Sequence, residues 1–146
     1  MTTVLDEITE SNITPEHIRR RVADWKKRID DLYAQIAGWL PNGYSLRHGK
    51  PMWMNEKMMR EYDVPDEEVP VLEILKDDLV VGRIEPRVLW ILGPNGRLQF
   101  LAGGQHFLID DRAEIFDPPK WTAMPFMDRR NRRPLDREVF QSLLPA

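Results

Sequence analysis

The chain has 146 residues, of which 42% are hydrophobic and 31% are charged, and its formal net charge is −3. These values are ordinary for a globular protein and exclude a disordered or fibrous chain, while the length suits one domain with a sizeable core. The absence of cysteine excludes disulfides, thiolate nucleophiles and cysteine-bound zinc.

The expected location follows from what the sequence lacks. No apolar run approaches the roughly 20 residues of a membrane span, and the stretch MTTVLDEITESNIT has neither the basic start nor the apolar centre of a signal peptide. We therefore expect a cytoplasmic protein without a membrane partner. The acidic balance also argues against a protein that mainly coats nucleic acid, because phosphate binding needs concentrated lysine and arginine.

The first predicted element is a long helix, preceded by a flexible tail of residues 1–13. Thr14 can cap the helix and Pro15 suits its first position, and residues 41–43 (Pro-Asn-Gly) end it. Opposite charges four residues apart predict a solvated, paired outer face. Apolar residues recur every three or four positions and form one stripe: Ile18, Val22, Trp25, Ile29, Leu32 and Ile36.

The next segment, PMWMNEKMM (residues 51–59), holds four of the seven methionines. Its pattern indicates an extended piece followed by a short helix from Asn55. Thioether spacing would allow a cuprous ion, but no cysteine assists and we expect no metal. Methionine fills irregular core gaps, so Met58 and Met59 are predicted to be core, whereas Trp53 is predicted to anchor a partner.

From Val69 onward the pattern changes to short strands rich in branched and aromatic residues. The predicted strands are VPVLEIL, LVVGRIE, RVLWILG, RLQFLA and QHFLID. Residues 94–96 (Pro-Asn-Gly) fit a three-residue hairpin loop that pairs Trp90 with Phe100 and Leu92 with Leu98. This register makes the central strand apolar on both sides, so both faces of the sheet would need a cover.

The chain ends in LDREVFQSLL, a second amphipathic helix that Asp136 can cap and whose apolar stripe should dock. We therefore predict a single α+β domain over residues 14–146. It comprises an antiparallel meander sheet of about five strands, with the long N-terminal helix on one face. Short helices, including the C-terminal one, partly cover the other face.

One group of side chains could support hydrolytic or metal chemistry: His106, Asp110, Asp111 and Glu114. However, the segment is typical of a strand running into a turn, where a four-residue interval does not gather side chains. The two aspartates suit the turn better. The glycines form neither a P-loop nor a dinucleotide fingerprint, so no cofactor is expected.

The most basic segment has five arginines within nine residues, at positions 129, 130, 132, 133 and 137. Arginine binds carboxylate or phosphate with two parallel hydrogen bonds. The segment could grip an acidic protein surface or nucleic acid, or it could neutralise the acidic residues 62–70 of the same chain. The acidity of the whole domain favours a protein over nucleic acid.

The sequence therefore favours binding over catalysis and predicts a small cytoplasmic protein–protein interaction module, such as an adaptor, secretion chaperone, immunity protein or inhibitor. Its partner would carry an acidic surface, and a homodimer is a second option. One alternative function is a nucleic-acid binder that uses the 129–133 segment, and another is an enzyme of unrecognised class at His106, Asp110, Asp111 and Glu114. The predicted partner-binding residues are Trp53, Arg129, Arg130, Arg132 and Arg133.

Overall fold

The computed structural model describes residues 13–145. The predicted flexible tail lies outside this range except for Ile13. The elements in chain order are α1 (Pro15–Trp39), β1 (Tyr44–His48), β2 (Met52–Met54), α2 (Lys57–Glu61), β3 (Glu67–Val69), β4 (Leu72–Lys76), β5 (Leu79–Val88), β6 (Arg97–Ala102), β7 (Gln105–Asp111), β8 (Trp121–Pro125), β9 (Arg133–Pro134) and α3 (Arg137–Leu143).

The long helix α1 forms for the reasons that its sequence indicates. The Thr14 hydroxyl accepts a hydrogen bond from the backbone amide of His17 (3.1 Å), and Pro15 occupies the first turn. The helix ends at Trp39, just before Pro41. Every residue of the predicted apolar stripe is buried, so α1 lies along the core and contributes one side of it.

The main sheet has seven strands in the order β1-β4-β5-β6-β7-β8-β9, all paired antiparallel, and β2 pairs with β3 in a separate two-stranded sheet. This confirms the α+β class and the antiparallel meander, with more strands than the five predicted. The additional strands of the main sheet are short or irregular in sequence: β1, β8 and the two-residue β9.

Both longer helices pack on the same face of this sheet. Phe140 of α3 stacks on Phe100 of β6 with ring centroids 5.6 Å apart, and Trp39 of α1 lies 6.0 Å from the same Phe140 ring. The C-terminal helix therefore docks, as its stripe predicts, but it lies beside α1 instead of on the opposite face. Aromatic contact with the end of α1 explains this position.

The opposite face of the sheet is mainly polar, so the prediction of two apolar faces is wrong. Along β6, Leu98 and Phe100 point into the core, whereas Gln99 lies on the other face and donates to Glu85 (3.2 Å). Cross-strand ion pairs continue this face: Arg47–Glu73 (2.8 Å) and Arg97–Asp110 (2.7 Å). Paired charges can face water and need no cover.

The predicted hairpin at residues 94–96 is also wrong. The partners of Phe100 and Leu98 in β5 are Ile84 and Pro86, and residues 89–96 leave the sheet as a loop. The sequence predicts a strand at the apolar run LWIL (residues 89–92), because periodicity alone cannot distinguish a strand from an apolar loop. Residues 89–96 leave the sheet because Glu56 and Asp111 bind their backbone groups, and these contacts also build the candidate site.

Candidate partner-binding surface

A buried ion pair joins α1 to the end of β7. Arg28 Nη1 donates to Asp111 Oδ2 (2.7 Å), and Arg28 Nε donates to Asp24 Oδ2 (2.6 Å). Arg28 and Asp111 are both buried. The sequence predicts that the charged face of α1 is solvated and paired, and this is only partly so. Lys27 and Asp31 form an exposed pair (3.8 Å), but Arg28 reaches into the core.

Asp111 also fixes the two loops that flank it. Its Oδ1 accepts hydrogen bonds from the backbone amides of Ala113 (3.0 Å) and Lys120 (2.9 Å). Its backbone carbonyl accepts from the amide of Asn95 (2.7 Å), and its own amide donates to the carbonyl of Gly96 (3.2 Å). Asp111 thus holds the 112–120 loop through its side chain and the end of the 89–96 loop through its backbone.

Glu56, just before α2, holds the start of the 89–96 loop. Its carboxylate accepts hydrogen bonds from the backbone amides of Leu89 (2.8 Å) and Trp90 (3.1 Å). Burial raises the pKa of Glu56, and these two hydrogen bonds oppose the rise. Because the carboxylate takes these amides, residues 89 and 90 cannot continue the β5 ladder. We call residues 89–96 the binding loop.

The binding loop presents apolar side chains to solvent. Leu92 is 99% exposed, while Trp90 and Ile91 are half-buried beside it. Ile115 and Phe116 of the neighbouring loop are exposed as well. Scattered exposed apolar residues are normal, but here they cluster on loops whose backbones are pinned by buried polar groups. Such an arrangement is typical of an interaction surface.

Glu56 connects Trp53 to this surface, because it binds the start of the binding loop and lines a small cavity together with Trp53. Trp53 is 66% exposed on β2, opposite Glu68 of β3, and Val88 also lines this small cavity. Its neighbours in the methionine segment behave differently, since Met54 and Met59 are buried and Met58 packs partly buried against the core. The core position predicted for Met59 is confirmed.

An open cavity of about 460 Å³ separates the binding loop from residues 113–115, and Arg21 of α1 lines it. Arg21 is only 7% exposed, yet it forms no ion pair with a carboxylate in residues 13–145. Its Nη2 donates to Asn95 Oδ1 (2.9 Å), its guanidinium lies 5.6 Å from the centroid of the Trp90 ring, and its Nε has no partner among these residues.

Arg21 places a buried, incompletely balanced charge at this cavity. Burial lowers the pKa of Arg21, because desolvation disfavours its charged form, and nearby Asp24 and Glu56 offset only part of this effect. Both acids are engaged elsewhere, by Arg28 and by the backbone of the binding loop. The charge of Arg21 is therefore only partly balanced within the described chain.

Two further arginines surround the same surface. The Arg20 guanidinium lies 4.6 Å from the centroid of the Phe116 ring. Arg112 lies beside the binding loop, where a Cβ on Gly93 would be 3.5 Å from its Nη1. Neither arginine has an ion pair in the described part of the chain, and the single acid that lines the cavity is the exposed Glu114. The surface is apolar with a positive border.

The arginine-rich segment, residues 126–133, folds over the polar face of the sheet, away from α1. Phe126 stacks on His106 (4.5 Å), Arg129 lies 5.0 Å from the Phe126 ring, and Arg132 approaches Asp110 (3.8 Å). No arginine of this segment forms an ion pair with residues 62–70 in the described chain, where Glu67 pairs with Lys26 (3.2 Å). Arg129, Arg130 and Arg133 remain exposed.

The four residues considered for catalysis do not converge. Asp110 lies on the polar face, where Arg97 donates to both of its oxygens (2.7 and 2.9 Å), whereas Asp111 points towards α1. Successive residues of a strand face opposite sides. His106 stacks on Phe126, and Glu114 is exposed at the cavity. Residues 13–145 contain no cluster of three or more His, Asp or Glu side chains able to hold a metal ion.

Comparison with protein-family models, with curated proteins and with solved structures finds no match to this chain. Across residues 13–145, no helix is both long and apolar enough to cross a membrane.

Proposed function

We propose that this protein is a protein-binding module, of the kind represented by adaptors, secretion chaperones, immunity proteins and inhibitors, and that its partner docks on the surface formed by Trp53, the binding loop and Ile115. The observation that carries the proposal is Leu92, which is 99% exposed in a loop fixed at both ends by hydrogen bonds to Glu56 and Asp111. A fixed loop presents its side chains without a large ordering cost on binding.

The charge of the surface indicates the chemistry of the partner. Arg20, Arg21 and Arg112 border the apolar residues without carboxylate partners in the described chain. An acidic partner surface with apolar residues at its centre would complement this pattern, and opposite charges would speed and orient the encounter. Tryptophan and arginine are also the residues that most often dominate binding energy at interfaces.

The arginine-rich segment is a second candidate contact for an acidic protein. Changing the exposed Arg129, Arg130 and Arg133 to glutamate should leave the fold intact, because none of them forms an ion pair in residues 13–145. Arg132 is left unchanged because it approaches Asp110 (3.8 Å). If this segment contacts the partner, the triple variant will recover less of it; undiminished recovery would assign the segment a structural role only.

The test of the main proposal is affinity capture from the native cell with matched variants. Leu92→Ser should abolish recovery of the partner, and Trp53→Ala should reduce it, with melting temperatures close to that of the parent. Leu79→Ser is the control, because Leu79 is 70% exposed at the other end of β5. Loss of the partner with Leu79→Ser but not with Leu92→Ser would refute the assigned surface. Recovery that disappears after nuclease treatment would indicate nucleic acid instead.

A further inference from the structure

We infer that the cavity at Arg21 is a carboxylate-binding pocket, which receives one Asp or Glu side chain of the partner. This inference rests on the proposed function and deepens it. Its starting point is a guanidinium that is 7% exposed and has no carboxylate partner within residues 13–145. Burying a charge without an ion-pair partner is unfavourable in general, and Asp24 and Glu56 offset only part of this cost for Arg21. A ligand that supplies a carboxylate therefore has an advantage.

The walls of the pocket fit the stem of an acidic side chain. Trp90, Ile91 and Ala113 provide apolar contact, and the volume of about 460 Å³ is in the range that accommodates a side chain with its flanking residues. Asn95 holds the guanidinium through Nη2 (2.9 Å) and is itself buried and held by the backbone of Asp111. The cation is thus held in place before any ligand arrives.

Two further charged side chains lie near the pocket. Arg112 lies beside Gly93 of the binding loop and adds a second positive charge, while Glu114 adds a negative one. Glu114 is exposed, so solvent weakens its repulsion of a bound carboxylate more than it weakens the attraction between that carboxylate and the buried Arg21. Asp24 and Glu56, the other acids near Arg21, are already engaged by Arg28 and by backbone amides of the binding loop. We therefore expect a carboxylate in the pocket to gain more from Arg21 and Arg112 than it loses to the acids nearby.

The experiment begins with a random peptide library displayed on phage and selected on the intact protein. Peptides selected by the parent should contain an Asp or Glu next to apolar residues. Each selected peptide is then synthesised with its acid and with the matching amide, Glu→Gln or Asp→Asn. The parent should bind the acidic form at least about tenfold more tightly, since a hydrogen bond to a charged group contributes roughly 1.5–3 kcal/mol.

Arg21→Met supplies the decisive comparison, because it removes the charge and keeps an unbranched stem. This variant should bind the acid and amide peptides equally, while Arg19→Met, which changes an exposed arginine of the same helix, should discriminate like the parent. Arg112→Gln, which changes the arginine beside Gly93, should discriminate less than the parent and serves as the second variant if Arg21→Met does not fold.

The inference is overturned if the acid-to-amide ratio is the same for the parent, Arg21→Met and Arg112→Gln, or if the parent selects no acidic peptide. Neither result would touch the proposed docking surface, because capture with Leu92→Ser and Leu79→Ser tests that surface separately. Conversely, the parent could prefer acidic peptides while Leu92→Ser still recovers the partner. That combination would refute the proposed docking surface but not the carboxylate-binding pocket.

Discussion

At the scale of single residues, Gly96 shows how backbone geometry and packing combine at the end of the binding loop. Its φ is +104°, and a Cβ built there would lie 2.6 Å from Cη2 of Trp25. Gly96→Ala should therefore cost about 2–4 kcal/mol of unfolding free energy, from an unfavourable φ together with overpacking against a buried ring. Chemical denaturation measures this value.

Gly104 provides the matched control for that substitution. It has a φ of +82° but nothing within 4 Å of the position of a Cβ. Gly104→Ala should cost only the backbone part, about 1 kcal/mol. Equal losses for the two variants would show that the Trp25 contact contributes nothing.

Asp111 joins α1 to both loops of the proposed docking surface. Asp111→Asn keeps the shape but removes the charge that faces the buried Arg28. We expect a loss of about 3 kcal/mol or more in unfolding free energy. Asp31→Asn, at an exposed pair with Lys27, should change it by about 0.5 kcal/mol or less. A small effect of Asp111→Asn would contradict the role of this ion pair.

At the scale of elements, α3 places one large aromatic side chain in the core. Phe140 is fully buried and stacks on Phe100, so Phe140→Ala should cost about 3–5 kcal/mol. Amide hydrogen exchange across α3 should accelerate, because the helix loses this packing contact. Glu138→Ala, on the exposed side of α3, is the control and should leave both measurements near those of the parent. Unchanged protection after Phe140→Ala would mean that other contacts dock the helix.

The helices and most strands could be predicted from sequence because they depend on local signals. The caps at Thr14 and Asp136 are single-residue signals, and the stripe along α1 repeats with the helical period; each is present in the structure. The binding loop could not be predicted in this way. Its path depends on Glu56, which is far from it in sequence, and on Asp111, which contacts it from the strand paired with β6. A local sequence pattern cannot predict such contacts.

The candidate site was predicted only in part for the same reason. Exposed Trp53 could be singled out by residue type, since its neighbours Met54 and Met59 supply the core. Arg21 could not, because it sits among other charged residues of α1 and only the fold shows that it is buried without a carboxylate. The sequence does contain one local signal for the binding loop. The apolar run LWIL is followed by Gly93 and Pro94, and this pattern fits an apolar loop as well as it fits a strand.

At the scale of the whole molecule, the two sides of the sheet have different roles. One face carries α1, α3 and the core, whereas the other carries paired charges and the arginine-rich segment. The proposed docking surface lies at the end of the sheet where the binding loop, residues 112–120 and β2 meet the first half of α1. The core can therefore stay intact while residues at this end are changed.

The most direct test of the docking surface is photo-crosslinking in the native cell, with benzoylphenylalanine placed at position 92 and, separately, at position 79. Both leucines are exposed: Leu79 begins β5, and Leu92 lies in the binding loop that follows the other end of that strand. We predict one discrete adduct from position 92, with a protein other than this chain, and none from position 79. No adduct from position 92, equal adducts from both positions, or an adduct with a second copy of the chain would contradict the account.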